Sequence, residues 1–245
     1  METGREMPWV AESFRMTAFV AEPFDESKLS WWKALALSSP EATSARPPQG
    51  EYVAEGSWNG NRLRLELGVG RIDWTEAGPV SPDNIFPTIP DVEVSFDRFI
   101  GATEAWLKES KVNPQRLAVG AILRIPVSDR EEGYEQLKKY LPSLTVDTKN
   151  SRDLLYQINR PRDSKTRPDV TVNRLTKWGV IQINAFAVGP SSIAASNAPL
   201  AHFCRLEIDV SSGASATPNL QQIAVPFLRE LQEAAIEIAL HGDVP

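Results

Sequence analysis

The chain has few of the residues on which disulfide and metal sites depend. Among its 245 residues there are one cysteine, Cys204, and two histidines, His202 and His241. A single cysteine excludes an internal disulfide and a zinc site built on cysteines. With only two histidines, any metal site would have to rely on carboxylates. We therefore predict neither a metal nor a cofactor.

The sequence also lacks a long hydrophobic run. Nowhere does an uninterrupted apolar stretch reach the roughly 18 residues that a membrane-spanning helix needs. The first residues, METGREMPWVAESFR, carry charges without the apolar core of a signal peptide. We therefore expect a soluble cytoplasmic protein with no membrane partner.

The common catalytic motifs are missing as well. There is no glycine-lysine phosphate loop, no G-x-G-x-x-G after a strand and no G-x-S-x-G. His202 and Cys204 lie two apart on a predicted strand, but on an apolar face where a buried thiol is the usual outcome. Pairs of carboxylates such as Glu207 and Asp209 could serve in acid–base catalysis, but the outward positions of a strand explain such pairs equally well. We therefore expect no enzyme, with a site assembled from distant residues as the remaining alternative.

What is present is an ordinary globular composition. Apolar residues make up 42% and charged residues 24% of the chain, enough for a proper core. The length suits one large domain or two closely packed lobes. The formal charge of −6 argues against a protein that coats nucleic acid along its whole surface.

The first half predicts strands and helices in alternation. Strands are predicted at residues 14–24 (edge or partly buried), 51–58, 61–69 and 116–127, with Asn59-Gly60 as a tight hairpin turn. One helix is capped by Asp25 or Ser27 and ends before the proline-containing stretch at 38–50. A second begins at Ser95 and buries Phe96, Phe99, Ile100, Thr103, Trp106 and Leu107.

The second half continues with the same kinds of element. A helix is predicted at residues 131–141, strands at 153–158, 177–188 and 202–210, and a loop at 189–199. A long helix ends the chain before Gly242, and Pro226 indicates a kink or a later start. Its apolar stripe is Leu220, Ile223, Ala224, Phe227, Leu228, Leu231, Ala235 and Ile238.

The fold class that follows is α+β. We expect two packed lobes of antiparallel sheet backed by helices, residues 1–128 and residues 129–245, or one continuous domain. The first lobe has the order β-α-β-β-α-β, which resembles the ferredoxin-like arrangement. That resemblance is topological and implies no function.

A basic segment, NRPRDSKTRPDVTVNRLTKW, stands out in this acidic chain. It spans residues 159–178 and holds six cations against two aspartates, a net charge of +4, so the rest of the chain carries −10. Arginines bind phosphates through paired donors, and a flanking aromatic can stack on a base. A solvated loop between two strands explains the same composition. The candidate residues for an anionic partner are Arg160, Arg162, Lys165, Arg167, Arg174, Lys177 and Trp178.

Seven tryptophans are the second unusual feature. Trp32 and Trp106 belong to apolar helix stripes and are predicted to lie in the core. Trp9, Trp31 and Trp58 fall outside such stripes, and exposed aromatics are enriched at protein interfaces. These three are predicted interface residues, with burial under loops as the alternative.

The resulting prediction is a non-catalytic protein that binds a partner: an adaptor, an inhibitor or a subunit of a larger assembly. The partner is expected to be another protein chain, and a second copy of this chain would also fit. The alternative is nucleic-acid or phosphate-ligand binding through residues 159–178, and an unrecognised enzyme is the third hypothesis.

Overall fold

A single large antiparallel sheet organises the computed structural model, which describes residues 7–21, 30–80, 86–189, 192–213 and 220–243, without the side chains of 185–200. Every pairing between its named strands is antiparallel. The strands are β1 (Val10–Phe19), β2 (Ala42–Arg46), β3 (Glu51–Trp58), β4 (Asn61–Gly68), β5 (Arg71–Ala77), β6 (Arg116–Val127), β7 (Leu155–Asn159), β8 (Arg162–Asp163), β9 (Thr171–Gly189) and β10 (Ser192–Ser212). The order across the sheet is β2-β3-β4-β5-β1-β6-β10-β9-β7, and the short β8 pairs with β9.

Four helices cover one face of this sheet, and the core lies between the two layers. They are α1 (Trp31–Ala36), α2 (Val92–Ser110), α3 (Arg130–Lys138) and α4 (Ala224–His241). Phe14 of β1 stacks on Phe96 of α2 with ring centres 4.8 Å apart. Trp74 of β5 meets Trp106 edge-on at 5.9 Å. Because strand residues alternate between faces, the other face of the sheet carries the polar half of each strand.

The predicted hairpin at Asn59-Gly60 is confirmed. Both turn residues have positive φ, 50° and 80°, as this kind of tight turn requires. In β4, the strand after the turn, Leu63, Leu65 and Leu67 are buried. Val69 is 83% exposed because it lies in the next turn, between β4 and β5.

The long helices agree with the predicted stripes. All six stripe residues of α2 are buried, although the N-cap position is Asp91 rather than Ser95, and the Asp91 side chain makes no capping hydrogen bond. The terminal helix begins at Ala224, so Pro226 lies in the first turn, where its missing N–H costs no helical bond. None of the described helices is long and apolar enough to cross a membrane.

One local prediction was wrong and one strand was missed. The first strand, predicted to be an edge or partly buried strand, is partly buried, and it lies between β5 and β6 in the middle of the sheet. The first helix ends at Ala36, before the stretch at 38–50 as predicted, but residues 42–46 of that stretch form the exposed edge strand β2. Most of the loop predicted at 189–199 belongs to β10, which pairs with β9 as far as Ser192 and Gly189.

The first half holds more strands than predicted. Its elements follow the order β-α-β-β-β-β-α-β, so β2 and β5 add to the predicted set. The sheet then continues from β6 into β10 across the predicted lobe boundary at residue 128. The coarse class, an α+β protein with a large antiparallel sheet and a C-terminal helix, is confirmed.

Candidate functional site

The basic segment lies against the terminal helix α4. Its arginines contact carboxylates on that helix and just after its end. Arg160 donates to the Asp243 carboxylate through Nε and through Nη2, the latter at 3.0 Å. Arg162 and Arg174 both reach Glu237, at 2.9 Å and 3.2 Å. The hydrogen bonds from Arg160 hold the pKa of Asp243 below its usual range. These contacts fasten the last turn of α4 to the strands β7, β8 and β9.

The other predicted anion-binding residues have neighbours of their own. Arg167 pairs with Asp169 at 2.9 Å and Lys177 with Glu207 at 3.5 Å. The backbone N–H of Lys165 donates to Glu230 at 2.7 Å. Five of the six cations therefore already form ion pairs within the chain.

Trp178, predicted to stack on a base, is fully buried. Its Nε1 donates to Thr176 at 2.9 Å, and its ring lies against Tyr140 and Trp9. A nucleic-acid base cannot reach this ring in the conformation described. Anion binding by the segment stays a prediction, and it requires a ligand that competes with the chain's own carboxylates.

The three predicted interface tryptophans lie in different environments. Trp9 is 3% exposed and donates from Nε1 to the carbonyl of Ala239 at 2.9 Å, so it anchors α4 to the core. Trp31 is half-buried against Trp106, with ring centres 5.4 Å apart. Trp58 is also half-buried, under the guanidinium of Arg98 at 5.5 Å. The structure does not bring these three side chains together on one surface.

The sheet face opposite the helices, called here the open face, is polar. Charged residues pair across it. Arg15 on β1 reaches over β6 to Asp209 on β10 at 2.9 Å, while Arg71 with Asp73 at 2.9 Å and Arg205 with Glu207 at 2.7 Å pair within one strand. One end of the open face is covered by residues 86–89, where Arg124 lies over the rings of Phe86 and Phe203.

Small residues leave a groove along the middle of the open face. Gly120 and Ala118 on β6, Thr17 and Ser13 on β1, and Ser211 on β10 supply little side-chain volume. The groove has two adjoining parts of about 510 Å³ and 370 Å³, which share Arg15, Leu175 and Asp209. Binding pockets for small molecules have volumes in this range. The sequence did not reveal this groove, because alternation within a strand does not indicate which strands lie side by side.

The second prominent feature is a hairpin that extends beyond the sheet, called here the arm (residues 180–189 and 192–201). β7 pairs with β9 only as far as Gly179, and β6 pairs with β10 only from His202. Past these points the described parts of β9 and β10 pair with each other alone. The arm therefore presents two strand edges with no other strand beside them among the described residues.

The arm has an unusual composition for an exposed hairpin. No Asp, Glu, Lys or Arg occurs from residue 178 to residue 204, although charged residues make up 24% of the chain. Natural proteins commonly protect open edges with charges, prolines or bulges. The pairing of β10 with β9 has register shifts on either side of Pro199, and it is regular from Val172 to Ile183 of β9. Between the partners of Ile183 and Asn184, β10 has one extra residue, whereas β9 has none. The more regular edge is thus that of β9.

The absence of charge in this stretch could have drawn attention to the arm from sequence alone. The small residues at 189–199 directed the prediction to a loop instead.

A scan against models of known protein families found no match to this chain, and a search among curated proteins found none either.

Proposed function

We propose that this protein binds a partner protein, and that the β9 edge of the arm is the binding surface. The observation that carries the proposal is the pairing pattern: a long, uncharged two-stranded arm extends past both neighbouring strands. An extended segment of a partner adds to such an edge by forming backbone hydrogen bonds. The same bonds would satisfy polar groups that otherwise rely on water.

The β9 strand, where it enters the arm, also has side chains suited to the addition of a partner strand. Ile181 and Ile183 are half-buried, while Gln182 and Asn184 are exposed. The Gln182 side-chain oxygen lies 3.3 Å from His202 Nε2, and the Gln182 side-chain nitrogen donates to Asn184 at 2.8 Å. Alternating apolar and amide side chains give an added strand one face to pack on and one face to hydrogen-bond.

A matched pair of lysine substitutions tests the proposal. Asn184→Lys adds a charge beside the arm edge, and Ser44→Lys adds one to β2, the exposed strand at the opposite edge of the sheet. A charge on an edge strand disfavours strand addition. We expect a co-purifying protein to be lost with Asn184→Lys and retained with Ser44→Lys, both variants keeping the circular dichroism of the wild type.

Two results would contradict the proposal. The first is a partner that persists in Asn184→Lys at wild-type stoichiometry. The second is equal loss in both variants, because that would indicate a general effect of added charge. If the retained companion is a second copy of this chain, the arm is a homodimer contact, and sedimentation of the purified protein would show a dimer.

Anionic-partner binding through residues 159–178 is the weaker hypothesis. Its test is the triple substitution of Arg160, Arg162 and Arg167 by alanine, with salt-dependent binding as the readout. Two of these arginines fasten α4, so stability must be measured beside binding. Loss of binding at unchanged stability would favour this hypothesis over the arm.

Two finer features of the predicted fold remain hypotheses. They are the division into two lobes at residue 128 and the resemblance of the first lobe to the ferredoxin-like arrangement. The cytoplasmic location, the absence of a catalytic site and the role as an assembly subunit are likewise part of the proposal.

A further inference from the structure

One row of side chains crosses the open face at the far end of its groove. In the register of the sheet, Phe19 on β1 is paired with Arg71 on β5 and with Arg116 on β6. The two guanidinium groups lie against the Phe19 ring, with their central carbons 5.8 Å and 4.9 Å from the ring centre. Phe19 therefore holds two arginines on either side of it, both lining the smaller part of the groove.

Arg116 differs from the other cations of the open face in its charge balance. Arg15, Arg62, Arg64, Arg71, Lys177 and Arg205 each lie within ion-pair distance of a carboxylate, as does Arg124 at the distance limit. Within the described part of the chain Arg116 has no such partner. Its Nε donates to the carbonyl of Ser212 at 3.2 Å, which fixes the guanidinium, and no described residue accepts a hydrogen bond from its outer nitrogens.

A second donor in the groove is also unsatisfied. Arg15 crosses above Gly120 and donates from Nη2 to Asp209 at 2.9 Å, but its Nε is buried without an acceptor among the described residues. Buried polar atoms of native proteins usually have a partner, so an orphaned donor calls for a ligand or a water. This donor lies on the groove floor shared by both parts.

Two neutral side chains complete the surroundings of these arginines. Ser211 and Asn173 line the same part of the groove, and Ala118 leaves space between them. The Thr17 hydroxyl, which also lines it, already donates to Asp73 at 2.5 Å. The lining carries three arginines and one aspartate, a formal charge of +2, and the carboxylate of Asp73 beside Arg71 lowers the surrounding charge to +1. A phosphate group suits this set of cations and neutral donors, because its three or four oxygens can accept from several groups at once.

We propose that this end of the groove, at Arg116, Arg71 and Arg15, binds a phosphate group. The rest of the groove, toward Ile122 and Lys177, accommodates the body of a phosphorylated small molecule. No described residue of the arm lines the groove. Phosphate binding can therefore be tested independently of partner binding.

Titration with inorganic phosphate tests the site directly. Amide NMR shifts are followed at constant ionic strength, because screening alone changes surface electrostatics. We expect saturable shifts on β1, β5 and β6 that inorganic sulfate, a similar tetrahedral anion, also produces. A phosphate monoester with an apolar body is titrated in parallel. Tighter binding of the monoester assigns the site to phosphorylated small molecules, and equal binding assigns it to free phosphate.

Two arginine variants supply the comparison. Arg116→Gln is expected to weaken phosphate binding by at least about tenfold, the usual effect of losing one charged hydrogen-bonding group. The matched control is Arg62→Gln, an arginine of the same face that pairs with Glu55 outside the groove, and it should bind like the wild type. Arg71→Gln serves as a second variant should Arg116→Gln fail to fold.

Three outcomes overturn the proposal. One is the absence of saturable shifts in the wild type. Another is phosphate binding by Arg116→Gln, or by Arg71→Gln in its place, with wild-type affinity. The third is equal weakening in Arg62→Gln, which would mean that phosphate responds to the net charge of the face.

Discussion

Replacing Asp243 by asparagine should loosen the end of the chain by a measurable amount. The Asp243 side chain is 2% exposed and accepts hydrogen bonds from Arg160 and from the hydroxyl of Tyr156 at 2.7 Å. The substitution keeps the volume but removes the charge. Hydrogen bonds to charged groups contribute about 1.5–3 kcal/mol each, and Arg160, a third exposed, regains part of this from water. We therefore expect the free energy of unfolding to fall by about 2 kcal/mol.

Thermal and urea unfolding measure this loss. For a chain of this size about 2 kcal/mol corresponds to a decrease in Tm of roughly 4–8 °C. The control is Asp169→Asn, whose carboxylate is 67% exposed and pairs with Arg167. Ion pairs between exposed groups contribute little to stability, so this control should unfold close to the wild type.

The pH dependence supplies an independent check. Because the pKa of Asp243 is lowered in the folded state, its ionised form stabilises the fold above the ordinary aspartate pKa of about 3.9. This stabilisation is lost as the pH falls through the folded value, so wild type and Asp243→Asn should converge in acid. If both aspartate variants lose the same stability, or if the Asp243→Asn deficit persists unchanged in acid, the basic segment does not fasten α4 as described.

Three further predictions concern buried groups. Burial raises the pKa of the Glu76 carboxyl, and hydrogen bonds from Asn61 and Arg98 offset part of that rise. Its ionised form therefore costs stability once the pH rises above the ordinary glutamate pKa. In urea unfolding, the free energy of unfolding of Glu76→Gln should increase relative to that of the wild type as the pH rises from acid to neutral. Burial also raises the pKa of the Cys204 thiol to about 12, so a thiol reagent at mildly alkaline pH should label only unfolded protein, and rapid labelling in native buffer would contradict its placement. Gly242 has φ 79°, and a Cβ there would lie 2.1 Å from the carbonyl oxygen of Tyr140. Gly242→Ala should thus destabilise the fold by about 3 kcal/mol or more, and a loss below about 1 kcal/mol in chemical denaturation would refute that packing.

The elements that sequence reasoning predicted well are those specified by nearby residues. The Asn59-Gly60 turn requires positive φ at two adjacent positions, which these two residue types tolerate. The buried stripe of α2 is likewise readable, because helical periodicity places its members on one face. In such cases the local pattern and the tertiary environment demand the same structure.

The errors came from elements whose structure depends on a distant partner. Residues 192–199 are mostly small and end in a proline, so they have little tendency of their own to form a strand, yet 192–195 and Pro199 pair with β9. β2 follows the same rule, since its five exposed residues are held in place by β3 alone. Strand formation at such positions depends on the neighbouring strand more than on intrinsic propensity.

The basic segment illustrates the same limit for function. Its composition indicated an anionic partner, but the carboxylates of Glu237 and Asp243 lie more than sixty residues further along the chain. Arg174 is 3% exposed because its strand position faces α4, and burial lowers its pKa. Only the tertiary fold distinguishes a cation that holds a helix from one that is available to a ligand.

Shortening the arm tests whether it binds a partner protein. The wild type and a variant in which residues 182–202 are replaced by Asn-Gly, closing the hairpin on the Ile181–Phe203 pair, are purified gently from the protein's own host. Native mass spectrometry is then recorded at low and at high salt. We expect a stoichiometric protein companion that survives high salt in the wild type and is absent from the shortened variant. A wild type that is monomeric throughout, or a companion retained equally by both proteins, would contradict it.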